Sequence, residues 1–391
     1  MPGSVQLPLR QPHPLRPPTG LLELQDQGPV HRVRTAVGDK AWLFTAYREV
    51  RELFTDQRLG LSHPDPGRAA RTGKSVLFGG PRTNYDTEQA DHARMRALMQ
   101  PDLTPKRIRA LKPKVEELTG GLLDDLARRD TPADLIEALA VPLPTLVICE
   151  LLGVPYAERD DFRGWIQDIT DTTDRERSRR GLTSLLRYGK KLAARKRACP
   201  GDDFISRLCA TDGVRDDEIA MLSMGLLFAG HETTVVAIGM GALLLLTHQE
   251  QFQALREDPE RVPAAVEEIL RMSGRGGMGI PRYAREDLEI GAVTIRAGDL
   301  VLLDPGAANH DLSMFPDADR FDITREPAPH LAFGHGMRYC VGAPVARVEL
   351  QVAFGQLIRR FPRMRLAVPV EQIMLKPGLL GRGPAALPVA W

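Results

Sequence analysis

Residues 216–249 carry one almost unbroken helical pattern, apolar on nearly every side. At 1.5 Å per residue such a helix extends roughly 50 Å, enough to cross a whole globular protein, so the rest of the chain must be built around it. The pattern has one interruption, Phe228-Ala-Gly-His-Glu-Thr-Thr234. Apolar runs on both sides, 226–228 and 235–238, argue against an exposed helical edge, and buried polar groups need partners or a task. Ala229 and Thr233 are four apart and share a face. Small Ala229 and Gly230 leave room beside the helix. The Thr233 hydroxyl has two options: a ligand or water, or the carbonyl of Ala229, which would loosen the helix locally. Glu232 puts an acid one residue away.

Helical patterns dominate from residue 91 to about 270, with helices expected over 113–127, over 135–152 (bent by its prolines) and over the basic stretch 175–197, which presents a solvated face. Before them, extended runs at 30–34 and 41–44 precede a helix at 47–55. Residues 61–90, rich in Gly, Pro, Arg and Asp, form a long loop of the functional or mobile kind. After Met272 come short strands at 288–290, 293–295 and 300–303, separated by turns at Gly291 and Gly298-Asp299. A loop at 327–342 leads into a helix at 343–361 with Leu350, Phe354, Leu357, Ile358 and Phe361 on one face. The expectation is a mainly α protein with small β-sheets. A flexible proline-rich arm covers 1–20, and a single domain covers 21–391.

Composition narrows the function. The 391 residues are 43% hydrophobic and 26% charged, ordinary for a globular protein. With 52 Lys and Arg against 51 Asp and Glu, the chain is not a general nucleic-acid binder. The most apolar window, 235–246, is broken by two glycines and falls short of the ~20 residues of a membrane span. Residues 1–19 lack the apolar core of a signal peptide, so the cytoplasm is the expected compartment. Four cysteines without a C-x-x-C pair make no disulfide framework and fit a reducing environment. Cys149, inside an apolar run, reads as a small core residue.

Cys340 differs by its surroundings, Phe333-Gly-His-Gly-Met-Arg-Tyr-Cys-Val-Gly342. Three glycines let the backbone approach a flat cofactor closely. Amide N–H groups near the following helix start favour thiolate over thiol. The competing reading is a tight turn around a buried cysteine. The full spacing F-G-x-G-x-R-x-C-x-G resembles the haem-binding signature of the cytochrome P450 family, and Ala229-Gly-His-Glu-Thr-Thr234 resembles that family's oxygen-activation motif. The resemblance runs from about residue 30 to 365.

That resemblance implies a triangular, mainly helical fold with haem b between the long helix and the cysteine loop. Cys340 would be the iron ligand, with Phe333, Gly334, Gly342 and Ala229 against the haem. Thr233 would be the hydroxyl beside bound oxygen and Glu232 the acid feeding it protons; His231 fills a variable position and receives no role. The family's H-x-x-x-R falls on His92 and Arg96. These two, with Arg282 and with Arg338 (where many relatives carry His), would bind the propionates. Glu268 and Arg271 match the structural E-x-x-R pair, with Arg320 expected to complete it. The implied activity is O2-dependent monooxygenation, hydroxylation or epoxidation of a lipophilic small molecule in natural-product biosynthesis, by a monomer without membrane or nucleic-acid partners. Oxidative coupling or peroxide-driven oxidation on the same haem, and a non-catalytic haem-binding protein, are the alternatives. The chain has no G-x-G-x-x-G fingerprint after a strand and no length for a flavin domain. Electrons from NAD(P)H are therefore expected through a ferredoxin and ferredoxin reductase. Basic Arg338 and Arg347 suit an acidic carrier. Pocket walls are expected from 61–90, 162–188, the helix near Phe228, 275–280 and Leu379. The glycine-rich run 274–279 reads equally as a widened pocket or a turn after a helix.

Overall fold

The computed structural model describes residues 5–274, 276–326, 329–376 and 382–391. The chain forms two compact units. One comprises Met1–Ala93, Thr172–Arg175 and Glu267–Cys340, and the other Arg94–Asp171, Glu176–Val266 and Val341–Trp391.

The first unit is organised by a six-stranded sheet in the order Val5–Gln6, Val30–Arg34, Lys40–Phe44, Leu300–Leu303, Ile280–Ala284, Leu59–Gly60. Val30–Arg34 and Lys40–Phe44 form an antiparallel hairpin, with Val33 opposite Ala41. Lys40–Phe44 then runs parallel to Leu300–Leu303, with Leu43 opposite Leu302. Side chains alternate between faces along each strand, and here both faces are covered. Trp42, Phe44, Val301 and Leu303 join Tyr47, Val50 and Phe54 in one core. Ala41, Leu43, Leu300 and Leu302 join Leu21, Leu24 and Tyr283 in another.

The proline-rich segment expected to be a flexible arm is instead anchored, with Val5–Gln6 as an edge strand of this sheet. Val5–Gln6 pairs in parallel with Val30–Arg34, and Leu7 and Leu9 are buried in the second of those cores. Apolar side chains at every second position, Val5, Leu7 and Leu9, bury enough surface to hold the segment down despite its prolines.

Helices make up most of the second unit. Its 32-residue helix Asp216–Thr247 opens with Asp216, Asp217 and Glu218, which suit the positive end of the helix dipole. It ends two residues earlier than expected, at the non-helical His248, and Gln249–Glu257 starts anew. By length and composition this helix is apolar enough to cross a membrane, but 72% of its most apolar window is buried inside the protein. Gly230 explains part of that packing, because a Cβ there would stand 2.8 Å from Ile148 Cδ1. Ile148 belongs to Pro142–Leu152, which follows a π-helical turn, Ile136–Ala140. The bend expected within 135–152 is this break at Pro142, whose ring cannot donate to the helix. The helix expected from 113 begins earlier, as Pro105–Ala127, with Thr104 capping the Arg107 amide and Pro113 inside it. Arg175–Ala198 is amphipathic, with Leu185, Tyr188 and Leu192 buried and Arg177, Arg179, Arg195 and Arg197 paired to acids.

Candidate functional site

In the first unit the cysteine loop lies against the end of the helix Tyr47–Thr55. Gly336 has φ 70°, and a Cβ on it would stand 2.6 Å from Thr55 Cγ2, so only glycine fits both the conformation and the space. The Cys340 amide donates to the Phe333 carbonyl at 3.0 Å and the Tyr339 amide to that of Gly336 at 3.0 Å, closing the loop on itself. Gly334, like Gly336, is left-handed. Phe333 is half-buried, its ring 6.1 Å from His330 and 6.2 Å from Tyr339. Cys340 is exposed, which removes the reading of a turn around a buried cysteine. Cys149 provides the contrast: it is buried, and burial pushes its thiol up to about 12. Gly342 directly precedes the helix Ala343–Arg360.

Beside this loop lies an excess of positive charge. Arg282 is buried in the strand Ile280–Ala284, its guanidinium 5.8 Å from the centre of the Phe54 ring. Burial, reinforced by Arg338 and Arg82, lowers its pKa to about 10. Burial also lowers that of half-buried Arg338, against the opposing pull of Glu88. Arg82 is lowered by the protein around it and then by Arg338. The residue as a whole remains exposed. Arg82 carried no signal in the sequence, since it sits in the irregular segment before Glu88. A recess lined by Phe54, Leu59, Gly60, Glu88, Arg282 and Arg338 opens at this cluster. His92 and Arg96, both half-buried, share one face of the helix Glu88–Met99. Three crowded guanidiniums facing one carboxylate make a seat for further carboxylates, and the two propionates of a haem fit that chemistry. An exposed cysteine on a glycine-rich loop fits its iron.

The Glu–Arg pair is confirmed, but its third member is not the expected one. Arg271 donates to Glu268 at 2.7 and 2.8 Å, with both residues buried. Arg325, not Arg320, completes the network, its Nε 3.2 Å from Glu268 Oε1. The Arg320 side chain is 66% exposed, and only its carbonyl takes part, accepting from Arg271 at 3.4 Å. The turn from Arg320 to Arg325 reverses which side chain points inward.

Residues 276–279 of the glycine-rich run form a bend. Gly276 and Gly277 are left-handed, and the buried Asp304 carboxylate accepts from the amides of Gly277 (2.5 Å), Met278 (3.2 Å) and Ala307 (3.0 Å). Arg275 and Leu379, two of the expected pocket residues, lie outside the described residues.

In the second unit Thr233 takes the second of its two options, donating from Oγ1 to the Ala229 carbonyl at 2.8 Å. Gly225, Ala229 and Thr233, each four residues on from the last, are exposed on a helix otherwise mostly buried. The small residues thus mark one open stripe. Glu232 is 13% exposed at its side chain, and burial raises its carboxyl pKa, opposed by Lys376 and Arg163. His231 is buried. Its Nδ1 lies 3.9 Å from Glu232 Oε2, and among the described residues neither ring nitrogen has a hydrogen-bond partner. Burial first, then Arg163 and Lys376, pull its pKa down to about 4, so the imidazole is neutral at pH 7. Sequence reasoning gave His231 no role, because a histidine between glycine and glutamate has no spacing signal of its own.

Comparison with known proteins identifies the family. The family model for cytochrome P450 matches residues 183–381. Pentalenolactone synthase of Streptomyces exfoliatus is 44% identical over 99% of both chains. The mycinamicin IV hydroxylase/epoxidase of Micromonospora griseorubida is 41% identical over 94% of both. Among solved structures, the substrate-free epoxidase PimD of the polyene macrolide pimaricin superposes over the full length of both chains with a TM-score of 0.90 at 40% identity. Full-length identity at this level, with the cysteine-loop and long-helix motifs in place, shows that the chain belongs to the cytochrome P450 family and is a haem-dependent monooxygenase.

Proposed function

We propose that Cys340 is the iron ligand, that Arg82, Arg282, Arg338, His92 and Arg96 hold the propionates, and that Glu232 and Thr233 deliver protons during oxygenation of a lipophilic natural product. The observation that carries the reading is the exposed Cys340, closed by its own amide on Phe333, in a loop whose neighbours are arginines in excess of carboxylates. Bound haem supplies an electron-rich iron that activates O2 for insertion into a C–H or C=C bond. Overall, substrate, O2, two electrons and two protons yield oxygenated product and water. Phe333, Gly334, Gly342 and Ala229 would hold the haem, the glycines and the alanine offering it little side-chain bulk. Burial keeps a proton on the Glu232 carboxyl to higher pH than usual. Thr233 passes a proton on when its hydroxyl turns from the Ala229 carbonyl, a bond that keeps it oriented until then.

The named relatives are a pentalenolactone synthase, a mycinamicin IV hydroxylase/epoxidase and the epoxidase of a polyene macrolide, and a natural product of that kind is the proposed substrate for this chain. Electrons come from NAD(P)H through a ferredoxin and its reductase, in the cytoplasm. The test is turnover with that electron chain under labelled O2, on macrolides and other lactone natural products chosen by their haem spin-state shift. We expect one labelled oxygen atom per product and, in Cys340→Ala, loss of the thiolate-type carbon monoxide spectrum with activity down at least ~1000-fold. Product without label would replace oxygenation by oxidative coupling. An unchanged spectrum in the variant would remove Cys340 as ligand.

A further inference from the structure

The irregular segment between Gly60 and the helix Glu88–Met99 is closed by a single carboxylate. Glu88 is 2% exposed. It accepts from the Leu61 amide at 2.8 Å, from the Ser62 amide at 3.1 Å and from the Ser62 hydroxyl. Those donors stand 26 and 27 positions earlier in the chain, so Glu88 clasps the two ends of the loop together. Gly60 makes this possible, since a Cβ there would lie 2.7 Å from Glu88 Oε2. Glu88 is also the first residue of its helix, where the unpaired amides favour a negative charge.

The same carboxylate reaches two cations. Arg285 approaches Oε2 at 3.3 Å and is itself tied to the loop through the Tyr85 carbonyl at 2.7 Å and the face of the Tyr85 ring. Arg338, two residues before Cys340, donates to Oε1 at 2.5 Å. One buried anion is therefore shared between the loop ends and the cysteine loop. Its hydrogen bonds and the nearby Arg338 hold its pKa below the ordinary carboxylate range despite burial, so the charge is present at neutral pH.

We infer that Glu88 is a positioning residue that couples the state of the 61–88 loop to the charge around the haem: with the loop clasped, Glu88 holds Arg338 and offsets one positive charge of the propionate seat. The inference rests on the haem-thiolate reading above. Opening the loop removes three donors from Glu88, which shifts its carboxylate toward Arg338 and Arg285. Conversely, a change at Arg338 is felt by the loop. A ligand that orders or displaces the loop would in this way alter how easily the iron is reduced, without touching it.

The test uses the haem-loaded protein. Glu88→Gln keeps the shape and removes the charge. Loss of a buried negative charge near the iron favours the reduced state, so at a fixed potential near the wild-type midpoint the ferrous-to-ferric ratio should rise at least ~3-fold. Trypsin, for which the loop offers Arg68, Arg71, Lys74 and Arg82, should cut it faster. A normal thiolate carbonyl spectrum with an unmoved midpoint would overturn the inference and leave the haem-thiolate reading standing. Absence of that spectrum in the wild type would overturn both. Should Glu88→Gln take up no haem, Arg338→Gln decides: the midpoint must fall and loop cleavage must change together. A fall with unaltered cleavage shows that Arg338 and the loop are not linked through Glu88, which ends the proposal.

Discussion

Arg271 and Arg282 are both buried arginines of the first unit, but their surroundings differ in one respect. Arg271 meets Glu268 at two points and the Asn309 carbonyl at 2.7 Å, and Arg325 closes on the same glutamate. Arg282 is hydrogen-bonded to the carbonyl of Pro281 and otherwise faces Arg338 and Arg82. The first cluster is complete in the protein alone. In the second, Glu88 offsets only part of the positive charge of Arg282, Arg338 and Arg82. A buried cation left in excess is a cost unless a ligand supplies the anion, so the imbalance itself distinguishes a binding seat from a structural network.

That distinction can be broken by substitution, beginning with the complete network. Arg325→Ala should destabilise the fold by about 3 kcal/mol, because it leaves Glu268 short of a partner in a buried site, while Arg320→Ala should change it by under ~0.5 kcal/mol. Chemical denaturation of the haem-free chains measures both, and equal effects would erase the difference between the two arginines. At the seat the order reverses. Arg282→Gln should weaken haem retention by about 10- to 100-fold, measured by transfer to a haem acceptor, with little loss of haem-free stability because a like-charge repulsion is relieved. A large loss of haem-free stability with normal haem retention would place Arg282 among the structural arginines.

What could be read from the sequence follows from how local each signal is. The cysteine loop and the Ala229–Thr234 stretch were legible because their chemistry is packed into ten residues or fewer, and spacing alone carries it. The Glu268–Arg271 pair was legible for the same reason, being one helical turn. Arg325 was not, since which of two arginines five residues apart points inward is decided by a turn between them. Arg82 gave no signal because a loop has no period, and Glu88 gave none because its importance comes from partners 26 to 250 positions away. The terminal arm was misread on composition, although alternation at Val5, Leu7 and Leu9 was there to be counted. The long helix itself was legible within two residues at its end, since nothing else explains so long an apolar run.

His231 offers the smallest and sharpest test, because it sets a third kind of buried polar group beside the two arginine clusters: neutral, unpartnered, and next to an acid. Its pKa in the folded chain is about 4, below its unfolded value of 6.5. A lowered histidine pKa means that the unfolded chain binds more protons between those two values. Stability must therefore fall as pH falls from about 6.5 toward 4, and level off below. Replacing the imidazole with an apolar side chain of similar bulk removes that proton uptake. The stability of His231→Leu should lose about 1 kcal/mol less than the wild type between pH 6 and pH 5. Glu232, whose pKa is raised, acts in the opposite direction and loses stability as pH rises, so it cannot mimic the effect. If both chains show the same slope across that interval, His231 is protonated in the folded state. The nitrogen 3.9 Å from Glu232 would then carry a charge that pairs with the acid instead of leaving it protonated.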